Sequence, residues 1–184
     1  MSGERRACNP DGLHLLVPEI AAEIVRTSGT GPGDLVLDLG AGTGALTAPL
    51  ARTGARVLAI ERSPRLARRL ERRYADAAHV RVVEGDIRTV PLPRRPYRVV
   101  ANLPFSIAMT MLGRLLDDRD SPLRRADLVV PWHLAVRLGE ATDGRPRVRR
   151  WRRRYRFHVE RRLPRRAFRP PPSVATGVLA VVRR

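Results

Sequence analysis

The chain has 184 residues, 43% of them apolar, which is enough for one domain with a real core and too few for two. Arginine and lysine total 36 against 18 aspartates and glutamates, giving a formal charge of +18 and a pI near 11.8. This composition excludes a disordered tail, a disulfide framework (Cys8 is the single cysteine) and a helical membrane protein, since no apolar run nears the ~20 residues of a span. Residues 1–9 carry charges but no apolar signal stretch, so a cytoplasmic location is expected. Every basic residue counted is arginine. A GC-rich genome accounts for arginine replacing lysine, but not for the excess of cations over anions. Such an excess suits a nucleic-acid partner, because neutralised phosphates release counterions.

Residues 18–27 place apolar side chains at helical spacing behind a first-turn proline, and 29–33 break the pattern with glycine and proline. Residues 35–39 read as a short buried strand. It runs into Gly40-Ala41-Gly42-Thr43-Gly44, after which 45–52 resume a helical pattern. A second strand over 55–60 ends at Glu61, and Ser63 with Pro64 suits the start of a helix reaching about Tyr74. A third strand, 80–83, precedes Gly85-Asp86, and a fourth, 97–101, ends at Asn102. Helices over 107–116 and 132–138 bracket a fifth strand at 126–130. Residues 139–154 are crowded with arginine, glycine and proline and predict a mobile loop, while 155–162 and 173–182 predict an antiparallel pair.

The alternation predicts an α/β, Rossmann-like fold with a seven-stranded, mostly parallel sheet and helices on both faces. The terminal antiparallel pair fits a class I methyltransferase better than a plain dinucleotide fold. Residues 1–184 are then a single domain with 139–154 as an Arg-rich loop.

Glycines at 40, 42 and 44 permit positive φ and let a ligand lie against bare backbone, and Glu61 is placed to grip ribose hydroxyls. Alone these do not choose a cofactor, since Gly40-x-Gly42-x-x-Ala45 also satisfies the dinucleotide fingerprint. Asp38 at the strand end favours S-adenosylmethionine: it would face an ammonium but repel a pyrophosphate. Asp86 is positioned to accept from an adenine amino group.

The sharpest signal is Asn102-Leu103-Pro104-Phe105. An exocyclic aromatic amine is a weak nucleophile, because its lone pair is delocalised into the ring. The Asn102 side-chain oxygen and the Leu103 carbonyl could take its two hydrogens and aim the lone pair at an electrophilic methyl, so that positioning supplies much of the rate. Pro104 stiffens the loop, and Phe105 offers a face for a flipped base.

With these residues the chain resembles the ribosomal RNA adenine N6-methyltransferase family, which contains the erythromycin-resistance (Erm) methylases and the small-subunit adenine dimethylases. The resemblance runs from about Gly12 to Val182 and rests on Asp38 to Gly44, Glu61, Gly85-Asp86-Ile87, Asn102 to Phe105, Ala126-Asp127-Leu128-Val129-Val130 and Phe168-Arg169-Pro170-Pro171-Pro172-Ser173-Val174. It implies that the domain is catalytic, with 1–17 covering the cofactor. It also implies S-adenosylmethionine as cofactor, S-adenosylhomocysteine as product, no metal, and His14, Asp38, Gly40, Gly42, Gly44, Glu61, Asp86, Ile87 and Asn102 as cofactor contacts. Phe105, where small-subunit dimethylases usually carry tyrosine, tilts the resemblance towards the Erm branch. That branch implies 23S rRNA as partner and macrolide, lincosamide and streptogramin B resistance, with a monomer expected.

Three features depart from the family. Leu13-His14-Leu15 replaces a glutamine-containing segment, leaving His14 to cover the cofactor. Pro131-Trp132-His133 stands where relatives often carry glutamine and an acid, and Trp132 is read as packing. The chain stops where relatives continue into a helical RNA-binding domain, so its loss is expected to weaken substrate affinity. Arg145, Arg147, Arg149, Arg150, Arg152, Arg153, Arg154 and Arg156 around Trp151 and Tyr155, then Arg161, Arg162, Arg165 and Arg166, are read as a compensating RNA surface. The competing readings are a methyltransferase for small-subunit rRNA, DNA or a protein amine or arginine, and a non-catalytic RNA-binding or transcription factor. A nicotinamide dehydrogenase is the weakest, since it leaves Asn102 and the arginine bias unexplained.

Overall fold

The computed structural model describes residues 14–140 and 143–184. In chain order its elements are β1 (Leu15–Leu16), α1 (Pro18–Ser28), β2 (Leu35–Leu39), α2 (Thr47–Ala51), β3 (Arg56–Glu61), α3 (Pro64–Arg73), β4 (Val80–Glu84), β5 (Tyr97–Asn102) and α4 (Ala108–Leu116). Then come β6 (Leu123–Pro131), α5 (Trp132–Gly139), α6 (Pro146–Arg154), β7 (Tyr155–Leu163), β8 (Phe168–Arg169) and β9 (Thr176–Arg183). None of the described helices is long and apolar enough to cross a membrane.

Seven strands form one sheet in the order β4-β3-β2-β5-β6-β9-β7. β4 through β6 pair in parallel, β9 is antiparallel to β6, and β7 is antiparallel to β9. The expected mostly parallel sheet with a terminal antiparallel pair is therefore borne out. The chain winds outward from β2 to β4, then returns to the other side of β2 as β5. That reversal opens a crevice at the carboxyl ends of β2 and β5, where open α/β sheets bind ligands.

Alternate side chains of each strand serve opposite faces. Leu37, Val99 and Leu128 pack with Met111, Leu112 and Trp151 on one side, whereas Val36, Val100 and Val129 pack with Ile24, Val25 and Leu50 on the other. Both layers are apolar and closed, so the strands read as near-continuous apolar runs rather than alternating ones. β1 pairs with β8 and the Val17 N–H donates to the Ala167 carbonyl, tying the amino-terminal segment to the proline-rich one. Residues 1–13 of the segment expected to cover the cofactor lie outside the described residues.

Residues 139–154 correct the expectation of a mobile loop. They close α5 and build α6; residues 141 and 142 lie outside the described residues. Composition misled because arginine reads as solvent-seeking, while α6 buries Val148 and Trp151 on one face. The Trp151 indole N–H donates to Asp117 Oδ1 at 2.9 Å, and the Arg147 guanidinium lies 5.2 Å from the indole while pairing with Asp117. Truncating a tryptophan this buried costs about 3–5 kcal/mol, enough to hold the helix to α4. The helix expected over 45–52 contracts to α2, because the glycine turn continues through Leu46.

Candidate active site

A cavity of about 260 Å³ opens at the β2–β5 switch point. It is lined by His14, Asp38, Gly40, Gly42, Asn102, Leu103, Pro104 and Phe105, together with Leu15, Leu16 and other loop residues. The structure thus brings together the strand-end acid, the first two glycines, the Asn102 loop and the amino-terminal segment.

Gly40 and Gly42 adopt φ of 80° and 56°, and a Cβ at Gly40 would meet nothing within 4 Å. That bare backbone borders the cavity and leaves space for a ligand. Gly44 serves otherwise: its Cβ would sit 2.7 Å from Leu70 Cδ2, so its lack of a side chain lets the turn pack on α3. Four of the five N–H groups of the turn, all but that of Thr43, are spent within the protein. Gly40 and Ala41 donate to the Ile60 carbonyl, Gly44 to the Ala41 carbonyl, and Gly42 to Glu61 Oε2. A pyrophosphate cradle needs those donors turned towards the ligand. The dinucleotide reading left open by the glycine spacing is therefore disfavoured.

Asp38 is buried, and Thr47 Oγ1 donates to its Oδ2 at 2.6 Å. Desolvation pushes its carboxyl up to about 7 against the lowering effect of the Thr47 bond, and the nearby Glu61 charge pushes the same way. A buried acid on a cavity wall is suited to a cationic group, whose charge would offset the cost of burial. Thr47 was not singled out from sequence. Its only signal is a hydroxyl one turn beyond the glycine loop, facing back towards the strand-end acid.

Asn102 ends β5, and its Nδ2 donates to the His14 carbonyl at 2.6 Å. A carbonyl can only accept, so this contact fixes the amide orientation and leaves Oδ1 as its acceptor. Leu103 is 1% exposed and anchors the loop in the core, while residues 105–107 form a 3-10 turn leading into α4. The His14 ring stacks on Phe105, with centroids 5.7 Å apart and planes 20° apart, and His14 Nδ1 lies 3.0 Å from the Pro170 carbonyl. The contact joins three segments distant in sequence. Trp132 is half-buried; it packs against Gly177, where a Cβ would lie 2.6 Å from its ring, and lies beneath Arg162.

The other acids stand apart from the cavity lining. Glu61 is buried with both oxygens engaged, Oε2 by Gly42 N–H and Oε1 by Ser63 N–H, each at 2.7 Å. Asp86 receives the Arg88 backbone N–H at 2.8 Å and a two-pronged contact from the Arg88 guanidinium. Those bonds hold its carboxyl down at about 2. Ile87 is buried in the larger core cluster. Arg88, absent from the sequence reading, is in turn fixed through its carbonyl by Arg114.

Of the twelve arginines read as an RNA surface, Arg161 pairs with Glu23, Arg162 lies over Trp132 and Arg156 is exposed on β7, while the other nine divide into two groups. Arg145 pairs with Asp143 and Arg147 with Asp117; Arg152 donates to the Leu138 carbonyl and Arg154 to those of Leu116 and Asp118. These four fasten α6 to its neighbours. Arg149, Arg150 and Arg153 are exposed on α6, and Arg165 and Arg166 are exposed on the turn after β7, at the cavity end of the sheet. No group of three or more metal-ligating side chains occurs among the described residues.

The family model described as ribosomal RNA adenine dimethylase matches residues 14–184. The chain is 36% identical to a "Ribosomal RNA small subunit methyltransferase A" of Synechococcus sp. (strain JA-3-3Ab), covering 94% of this chain and 66% of that protein. It is 38% identical to the "Mycinamicin-resistance protein MyrB" of Micromonospora griseorubida, covering 89% and 50%. Among solved structures it superposes on the 23S rRNA methyltransferase ErmE with a TM-score of 0.84 at 25% identity, covering 94% of this chain and 70% of that one. The chain spans between half and two thirds of the length of these two curated relatives. With a model matched over nearly its whole described length, the chain belongs to the ribosomal RNA adenine dimethylase family.

Proposed function

We propose that this protein transfers a methyl group from S-adenosylmethionine to N6 of an adenine in 23S rRNA, acting in the cytoplasm as a monomer and conferring macrolide, lincosamide and streptogramin B resistance. The observation that carries this reading is the Asn102 amide, whose nitrogen is committed to the His14 carbonyl and whose oxygen remains as acceptor. S-adenosylmethionine supplies the electrophilic methyl when bound. Asn102 Oδ1 and the Leu103 carbonyl accept the two hydrogens of the adenine amine and free its lone pair for in-line attack. Phe105 stacks the flipped base. The proton leaves after transfer, once methylation has acidified it, so no side-chain base is required.

The residues present fit the cofactor. Asp38 meets the methionine ammonium, and Gly40, where a Cβ would meet nothing within 4 Å, leaves room against the backbone. Each Glu61 oxygen accepts one backbone N–H and keeps a lone pair for a ribose hydroxyl. Asp86 takes the adenine amine once Arg88 has moved aside. Similarity to the 23S rRNA methyltransferase ErmE supports the large-subunit target, and similarity to the mycinamicin-resistance protein MyrB supports the resistance. Similarity to the Synechococcus small-subunit methyltransferase supports the second reading, a 16S rRNA adenine.

Incubation with labelled cofactor and protein-free 23S or 16S rRNA, followed by primer extension, separates the two. Label and a reverse-transcription stop on 23S rRNA are expected. Label confined to 16S rRNA would remove the Erm assignment. Cofactor binding without transfer to any RNA would leave a protein substrate or a binding role.

A further inference from the structure

We infer that the outward face of α3 is a backbone-binding surface for an RNA duplex flanking the target adenine. The inference rests on the RNA-substrate reading above and gives that substrate a second point of attachment. Leu66, Ala67 and Leu70 are buried, Leu70 against Ala41 and Ala59. Arg65, Arg68, Arg69 and Arg72 are all exposed. Their spacing puts them on one side of the helix, in a stripe roughly 10 Å long at about 1.5 Å per residue.

Among the described residues none of these four guanidiniums makes an ion pair, a hydrogen bond or a ring contact. Three of the six arginines of α6 behave differently, since Arg147, Arg152 and Arg154 reach a carboxylate or carbonyl acceptors. Like charges three and four residues apart repel, and Glu71 is the one acid in α3. The stripe therefore weakens the isolated helix and does nothing for the core. A row of phosphates would remove that repulsion, and the guanidinium fork matches phosphate oxygens.

Position supports the same partner. α3 starts three residues after Glu61 at the carboxyl edge of the sheet and runs back towards the start of β4. The stripe thus begins beside the ligand-binding end and leads away from it, as a duplex arm leaving the target base would. The stripe itself carries no aromatic side chain, so it tracks the backbone and reads no sequence.

The test substitutes Arg65, Arg68, Arg69 and Arg72 by glutamine together. Binding of a fluorescein-labelled RNA hairpin is followed by anisotropy across a salt series. Each phosphate contact contributes about 0.7–0.9 to the slope of log affinity against log salt, so the slope should become shallower by roughly 3. Affinity at about 100 mM salt should fall at least tenfold by the same contacts. The melting temperature should hold or rise, because repulsion is removed. A reference variant with Arg81, Arg94, Arg95 and Arg124 changed to glutamine removes the same charge elsewhere and should lose much less.

An unchanged slope, an equal loss in the reference variant, or a lowered melting temperature in the α3 variant would each overturn the proposal. The hairpin assay does not depend on methyl transfer. A protein that binds cofactor but methylates no RNA would refute the catalytic reading and leave the α3 result to stand or fall alone.

Discussion

Along the carboxyl edge of the sheet, the β2–β5 half of the cleft and the β3–β4 half treat their polar groups in opposite ways. On the β2–β5 side, Asp38 and Asn102 both line the cavity and are held by one residue each, Thr47 and His14. On the β3–β4 side, Glu61 and Asp86 lie off the cavity and are occupied, by two backbone N–H groups and by Arg88. The first half is preorganised and carries the cost of burying a carboxyl. In the second, Glu61 keeps acceptor capacity, but Asp86 is closed by Arg88 and must exchange that partner to take a ligand. In the proposed reaction the chemistry falls to the half whose polar groups are already held, as catalysis by positioning requires.

The sharpest way to break this contrast is Asn102→Ala. On the proposed reading it removes one of the two acceptors for the amine, and losing a single preorganised group of this kind costs about 10²–10³ in rate. Single-turnover transfer from labelled cofactor should fall by that factor, while equilibrium dialysis shows cofactor affinity within a few-fold of the parent. An equal loss in both would make Asn102 a cofactor holder, and the two halves would no longer divide chemistry from binding.

Asp38 offers the next largest effect, through pH. Its folded carboxyl sits at about 7, above its ordinary value near 3.8, so between those values the folded state holds a proton that the unfolded state has lost. Stability should therefore decrease as pH rises through that window, and urea midpoints should follow. Asp38→Asn should flatten the trend. Cofactor binding should run the other way: an ammonium favours the ionised carboxyl, so affinity should rise about tenfold per pH unit towards 7 and then level off. A flat binding profile below pH 7 would remove Asp38 from contact with the ammonium.

The same contrast explains how much was legible in the sequence. β2 was read to the residue, because a strand buried on both faces is a bare apolar run ending in glycine. Asp38, Gly40, Gly42 and Asn102 were placed because strand ends project into the crevice by topology alone. The partners were not legible. Thr47 on Asp38, the His14 carbonyl on Asn102 and Arg88 on Asp86 depend on side-chain direction and on contacts as far as 88 residues apart. α6 was missed for a related reason. Its arginines look solvated in sequence, and only the acceptors on α4, the following loop and α5 turn them into fasteners. Composition also could not separate those fasteners from the unpaired arginines of α3.

Arg88→Ala addresses the closed half and carries the smallest expected effect. Each Asp86 oxygen already accepts two bonds from Arg88: Oδ1 from the backbone N–H and Nε, Oδ2 from Nε and Nη2. Removing the side chain leaves only the backbone bond and frees acceptor sites for an adenine amine. Exposed pairs of this kind are weak, so cofactor affinity should tighten by no more than a few-fold, and less at high salt because the competing pair is itself screened. The transfer rate at saturating cofactor should not move, since Arg88 is far in role from the Asn102 loop. Isothermal titration of the variant and the parent at low and high salt reads both affinities. Weaker binding in the variant would mean that Arg88 holds the ligand instead of competing with it, and the β3–β4 half would then be as preorganised as its neighbour.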